Sequence, residues 1–439
     1  MRFWNVTELE ATLTELLSLM SVSAFDRVFE SFAFISYERE ALLFVATIAL
    51  VLATVALSAT DFEVELKARS SALIVSTGLL LALAVSSDHL ILWLIFYELS
   101  SFPLILYLFF SSENSVESRK AATLLAVFTV ASGMLVALGV LIAYLDTGSF
   151  WINEVTREGS LVAGILVALG LLLKLPIVPL HFWLVLVYSA LPSHLGAVAV
   201  CLEGATMFFL LKIVGKTLMI PTLSESNEVF VTTLLFLSLG LVSAVYSALQ
   251  GLSSKSSREL LAFSSIIYTN SVLLILASSF FKNSEGVSSL FETAVYYTIA
   301  YILSKSAWFT LLGVLEKTSG SSNLEMLRGS VKSDPLVYFL GLTLLFMILP
   351  SPPSLKFFSE LFVVLLSPSG SLLSGAITIF LAMCFVLATS LTTSFIYIVW
   401  TGETKRKGEI TLRPLVSIAL LSLALIVGGL SLLYNFYEI

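Results

Sequence analysis

From Leu173 to Lys212 the chain reads LKLPIVPLHFWLVLVYSALPSHLGAVAVCLEGATMFFLLK, and this stretch limits the possible folds more than any other. It is apolar over most of its length, yet it carries Lys174, Pro176, Pro179, His181, Glu203 and Lys212. In lipid, a backbone carbonyl freed by proline must find a partner inside protein or in a water-lined cavity. A charged side chain at mid-membrane costs roughly 2.5 to 3.5 kcal/mol on insertion scales. The stretch therefore predicts a helix broken at the prolines, facing the inside of a bundle, with a titratable lysine at the break.

Composition sets the class. Of 439 residues, 58% are hydrophobic and 12% charged, whereas soluble domains are charged at about a quarter of their positions. The sequence predicts an all-α, polytopic membrane helical bundle with about 13 to 14 transmembrane helices joined by short loops. Spans are expected near 41–58, 70–87, 89–111, 121–145, 160–186, 192–215, 230–250, 259–281, 289–315, 335–350, 354–367, 372–400 and 412–436. Those at 350–367 are read as pieces of a second interrupted helix. The domain reading is a single transmembrane unit over 41–439, preceded by an amphipathic or poorly inserted segment over 1–40. Glu8, Glu10, Glu15 and Asp26 in that segment argue against a signal or transit peptide, so the chain is expected to insert as made.

The formal charge of −7 is spread over loops and indicates no nucleic-acid partner. Cys201 and Cys384 both fall in apolar runs and suggest neither a disulfide framework nor a metal site. His89, His181 and His194 lack the i, i+4 spacing of a helical metal pair, and no dinucleotide fingerprint or phosphate loop is present, so no cofactor or metal is expected.

What remains is a set of ionisable groups inside apolar spans: Glu98, Lys174, Glu203, Lys212, Lys305 and Glu360. Burial disfavours the charged form of each, which brings carboxylates and lysines toward conditions where both exchange protons. Glu98 lies nine residues after His89, about 13 Å along a helix and so near mid-membrane. Lys305 lies thirteen residues after Glu292, too deep to snorkel easily. Glu360 follows Pro350, Pro352 and Pro353, repeating the pattern of an ionisable group beside a proline break. Against each stands a structural reading: Lys212 as a span-end anchor, and Asp88, His89 and His194 as boundary or packing residues. Two broken helices with ionisable neighbours suggest related halves of an inverted-repeat transporter.

The motifs resemble a known family. KLPIVPLHFWL (174–184) is similar to the Lys-x-Pro-x-x-Pro-x-His-x-Trp-Leu signature of the antiporter-like proton-pumping subunits of respiratory complex I. FYELSSFP (96–103) resembles their span glutamate followed five residues on by proline. ESRKAATLLAVFTVASG (117–133), LLAFSSIIYTN (260–270) and PSPPSLKFFSEL (350–361) resemble further segments in order. Within the family the resemblance is nearest to the subunit 4 branch of mitochondrial type.

This resemblance implies an inverted-repeat antiporter-like core in a membrane-arm subunit of NADH:ubiquinone oxidoreductase. Such a subunit translocates protons while the redox reaction occurs elsewhere in the complex. It implies Glu98 and Lys174 as a coupled pair, Glu360 as a terminal acidic site, and Lys305 in place of a central lysine. Glu203 would bias Lys305 electrostatically, and His181 and Lys212 are lesser candidates for the path. Counting thirteen residues from Pro192, where the family has its central lysine, reaches Ala205; Glu203 is close by. Family histidines are replaced by Tyr268, Tyr301 and Tyr188. Expected partners are the other membrane-arm subunits and lipids, in the mitochondrial inner membrane or, alternatively, a bacterial plasma membrane. The competing readings are a sister complex I subunit, a cation/proton antiporter subunit, and a scaffold whose charges form static pairs.

Overall fold

The computed structural model describes residues 39–58, 64–110, 116–158, 161–213, 228–281, 284–367, 372–402 and 412–437. The amino-terminal segment expected over 1–40 lies, except for its last two residues, outside the described residues.

Among the described residues the chain is helical throughout, with isolated bridges at His89–Trp151 and Ser256–Asn323 in place of strands. The helices are α1 (Arg39–Ser58), α2 (Val64–Val85), α3 (Leu90–Ser100), α4 (Phe102–Phe110), α5 (Val116–Thr147), α6 (Ile152–Glu158), α7 (Leu161–Lys174) and α8 (Phe182–Ala190). There follow α9 (Ser193–Phe209), α10 (Glu228–Ser253), α11 (Ser257–Ser279), α12 (Ser284–Ser319), α13 (Pro335–Ile348), α14 (Leu355–Leu366), α15 (Leu372–Trp400) and α16 (Leu412–Tyr437). Every expected span contains helix. Nine helical stretches among the described residues are long and apolar enough to cross a membrane, and shorter apolar helices lie at Arg69–Val85, Val162–Lys174 and Pro335–Leu344.

Local sequence sets the helix starts. Asp334 precedes α13, and its Oδ1 accepts from Leu336 N at 2.7 Å and Val337 N at 3.3 Å, while Pro335 occupies the first helical position, where no N–H is needed. Ser354 Oγ caps α14 by accepting from Phe357 N at 3.2 Å.

The centre consists of α9, α11 and α12. Every residue from Leu260 to Ser279 is buried, and the most apolar stretches of the 195–213 and 286–319 spans are buried nearly throughout. A helix buried on every side must satisfy its polar groups internally. In α11, Ser264, Thr269, Ser271, Ser278 and Ser279 each donate to a carbonyl three or four residues back. The outer helices α5, α10, α15 and α16 expose large apolar side chains such as Met134, Leu145, Val386 and Leu423, as a lipid-facing surface requires.

Three interruptions shape the interior. Between α7 and α8 the break at 175–181 contains Pro176 and Pro179, and its backbone is satisfied by neighbours. Val178 N donates to Ser243 Oγ of α10 at 2.9 Å, and Asn270 Nδ2 of α11 donates to Pro176 O at 3.4 Å. This is the internal partnering that a proline break in a membrane demands. The second break, at 349–354, closes on itself through Ser351 N to Leu349 O at 2.7 Å and Ser354 N to Ser351 O at 3.0 Å. It sits against α16, where a Cβ at Gly429 would lie 2.1 Å from Pro353 O. A third interruption, not expected from the sequence, falls at Ser101 between α3 and α4, where Pro103 removes the N–H that would continue the ladder.

Candidate functional site

The first break carries a lysine to a carboxylate. Lys174 is the last residue of α7, and its Nζ lies 3.1 Å from Glu98 Oε2 near the end of α3. Nζ also stands 3.9 Å above the centre of the Tyr97 ring, so the ammonium is held by a carboxylate and an aromatic face together. Gly133 of α5 gives the carboxylate room: a Cβ there would lie 3.1 Å from Glu98 Cδ and 3.2 Å from Oε2. Glu98 Oε1 is buried without a protein hydrogen-bond partner, as are Thr129 Oγ1 and Ser132 Oγ on α5.

Tyr97 leads toward the centre. Its hydroxyl lies 2.7 Å from Thr206 Oγ1 on α9, and Glu203 is one turn earlier on the same helix. Glu203 is buried and held at both oxygens: Tyr301 OH of α12 donates to Oε2 at 2.6 Å, and Tyr188 OH of α8 donates to Oε1. Four residues beyond Tyr301, Lys305 is buried. Its Nζ hydrogen-bonds Ser264 Oγ and reaches Leu261 O at 3.4 Å, 4.8 Å from the centre of the Trp308 ring. Lys305 is within electrostatic reach of Glu203 on one side and of Lys356 on the other.

The second break supplies the far end. Lys356 and Glu360 lie one turn apart on α14, both buried, with Lys356 Nζ 4.0 Å from Glu360 Oε1. Both lysines approach Tyr268 of α11, whose ring centre is 4.7 Å from Lys356 Nζ and 5.5 Å from Lys305 Nζ.

Five of the expected residues, Glu98, Lys174, Glu203, Lys305 and Glu360, thus fall into one interior series, buried at all but the partly buried Glu98. Two do not join it. Lys212, in the π-helical turn that follows α9, pairs with Asp88 at 3.4 Å just before α3, at a span end. The ring of His181, at the start of α8, lies 5.0 Å from Tyr246 and 6.2 Å from Phe263. His89 packs on Phe150 and Trp151 at the boundary. At the other ends of the helices, Arg258 makes a two-pronged ion pair with Glu316 at 2.8 and 2.9 Å and donates to Ser189 O at 3.1 Å, tying α11 and α12 to the end of α8.

Lys356 is not among the expected residues, although it lies inside PSPPSLKFFSEL; the signal for it in the sequence is its i, i+4 spacing to Glu360. Tyr188, Tyr301 and Tyr268 stand where family histidines were expected; two of them cage Glu203, and both lysines approach the ring of the third. Among the described residues no three His, Cys, Asp or Glu side chains come together as a metal site.

Fold and site together define an antiporter-like polytopic membrane subunit. The chain belongs to the NADH:quinone oxidoreductase/Mrp antiporter transmembrane family, whose profile it matches over residues 87–392. It is 23% identical over 372 residues to NADH-quinone oxidoreductase subunit N of Azobacteroides pseudotrichonymphae, covering 81% of this chain and 73% of that one. It is 27% identical over 292 residues to subunit N 1 of Aquifex aeolicus, covering 66% and 59% of the two chains. The fold is similar to that of a chain in respiratory complex I from Thermus thermophilus, with a TM-score of 0.76 and 20% identity over 90% of this chain and 81% of the other. It is also similar to a chain of the Mrp complex from Dietzia sp., with a TM-score of 0.71 and 17% identity over 88% and 80% of the two chains.

Proposed function

We propose that this chain is a membrane-arm subunit of an NADH:quinone oxidoreductase that moves protons along the interior series from Glu98 to Glu360, while the redox chemistry takes place in other subunits. The observation that carries this reading is the Glu98–Lys174 pair at a helix break. A buried ammonium is stable while the carboxylate is beside it, and withdrawal of the carboxylate expels its proton. The break at 175–181 is where α7 can move without breaking helix hydrogen bonds. The released proton has Glu203 and Lys305 ahead of it, and beyond them the pair on α14. Family membership supports the assignment at the level of the assembly.

Within that assembly, subunit N is a better analogue than the subunit 4 branch suggested by the motifs, because both relatives described above are subunit N. Both relatives are bacterial, which favours a bacterial-type respiratory membrane over the mitochondrial inner membrane. Neighbouring antiporter-like subunits and lipids would cover the outer helices.

The test is NADH-driven proton pumping in membrane vesicles carrying Lys174→Met, with a native gel for assembly. An assembled complex with pumping reduced at least tenfold is the expected result; unchanged pumping would return Lys174 to a structural role. The family description also includes Mrp antiporters, so a second reading is cation/proton exchange. Proton movement driven by an imposed sodium gradient, without NADH, would select it.

A further inference from the structure

Resting on the proton-path reading, the geometry points to Lys356 as a proton-carrying residue that passes its proton to Glu360 and is recharged from Lys305 across the face of Tyr268. In chain order the six groups are Glu98, which is partly buried, and the buried Lys174, Glu203, Lys305, Lys356 and Glu360. Fully ionised, they balance, and successive charges are opposite at every step except one. The exception is Lys305 beside Lys356, whose Nζ atoms lie 5.5 Å and 4.7 Å from the centre of one ring.

Two ammonium groups against the same aromatic ring repel each other, and in a low-dielectric interior that repulsion is only weakly screened. The carboxylates on either side relieve it unequally. Both oxygens of Glu203 are engaged by tyrosine hydroxyls, so Lys305 has that carboxylate within electrostatic reach and donates its hydrogen bonds to Ser264 Oγ and Leu261 O instead. Glu360 Oε1 is buried without a hydrogen-bond partner among the described residues and lies 4.0 Å from Lys356 Nζ. The proton with an acceptor beside it is therefore the one on Lys356.

Arrival of a proton at Lys305 raises the repulsion across Tyr268. Lys356 then gives its proton to Glu360, leaving a neutral amine and a carboxylic acid. After Glu360 has released that proton onward, the Lys305 ammonium recharges the Lys356 amine and becomes neutral, ready to be loaded from the Glu203 side. Each transfer moves one proton and conserves the total. A static ion pair between Lys356 and Glu360 would need none of this, and it would not need a second lysine facing the first.

The two roles separate on substitution. Arginine retains a charge and an ion pair but does not release its proton in a protein. The experiment places Lys356→Arg, Lys356→His and Lys356→Gln in the whole complex, checks assembly on a native gel, and measures NADH-driven pumping in vesicles from pH 6 to 9, with Lys174→Met in parallel. The expected result is an assembled Lys356→Arg complex that pumps at least tenfold more slowly at every pH. Lys356→His should retain at least five times the rate of Lys356→Gln, with a pH dependence that Lys356→Gln lacks. Wild-type pumping by Lys356→Arg would overturn the proposal. If the arginine variant does not assemble, equal rates and pH profiles for the histidine and glutamine variants would overturn it instead. Undiminished pumping in Lys174→Met would sink the proton-path reading itself, whereas loss in Lys174→Met with none in Lys356→Arg would sink only the role of Lys356.

Discussion

Lys174 Nζ and Glu98 Oε2 meet at 3.1 Å from two different helices, and each of those helices is interrupted next to the pair. Lys174 is followed at once by the break at 175–181, and Glu98 stands three residues before the interruption at Ser101. An ion pair placed at two discontinuities can open and close through changes at a few backbone positions, whereas a pair in mid-helix would have to drag whole helices.

Removing one member of this pair leaves the other buried and uncompensated, a loss of about 3–5 kcal/mol for buried pairs in general. Glu98→Gln and Lys174→Met should each lower the melting temperature of the detergent-solubilised complex. The double substitution should recover most of that loss, because it removes both charges, yet pumping should stay absent. A thermal melt and a pumping assay on the same preparations check the prediction. Restored pumping in the double variant would show that the charges are not carriers.

Gly133 tests the space around the carboxylate. A Cβ there would sit 3.1 Å from Glu98 Cδ, closer than most real Cβ contacts, so the carboxylate must yield. Overpacking of this kind costs about 1–3 kcal/mol in a tight core. Gly133→Ala should slow pumping several-fold with assembly intact, and Gly133→Val should slow it further. Wild-type rates in both would mean that the carboxylate has ample alternative room.

The broken helix was legible because Pro176 and Pro179 beside Lys174 leave few other structures in lipid, and the apolar runs between charged loops mark each span. Glu98, Lys174, Lys305 and Glu360 stood out as charges where none is tolerated without a reason. Lys356 did not, because it follows three prolines and reads as the polar end of a short span; only the three-dimensional course of α14 turns it inward. The roles of Tyr188, Tyr301 and Tyr268 were hidden for another reason. A tyrosine in an apolar run looks like core, and its hydroxyl partner is set by helices far apart in sequence, as with Tyr301 and Glu203, 98 residues apart.

The tyrosine cage reports on the charge of Glu203. A hydrogen bond to a charged group is worth about 1.5–3 kcal/mol, and one between neutral groups about 0.5–1.5 kcal/mol. Tyr188→Phe and Tyr301→Phe each delete one donor to the carboxyl group with little change in shape. If Glu203 is ionised in the resting state, each variant should destabilise the complex in the higher range, and the double variant by more than the sum, because no donor remains. Denaturation in detergent measures this. Losses near the lower range, adding simply, would identify a neutral Glu203 at rest.

Gly429 and Gly375 make a matched pair, since both are glycines inside long helices with opposite surroundings. A Cβ at Gly429 would fall 2.1 Å from Pro353 O in the second break and 2.7 Å from Leu355 N at the start of α14, whereas a Cβ at Gly375 meets nothing within 4 Å. Replacing glycine by alanine in a helix interior stabilises it by roughly 0.5–1 kcal/mol when there is room. Gly375→Ala should therefore assemble and melt at or slightly above the wild-type temperature. Gly429→Ala must push the 349–354 segment away from α16, which displaces the start of α14 and with it Lys356 and Glu360. Its expected result is a complex that assembles poorly or, where assembled, pumps at least tenfold more slowly with Lys174 and Glu98 untouched. Native gels and vesicle pumping on the two variants side by side decide it. Equal behaviour would mean that the second break is not held in position by the approach of α16.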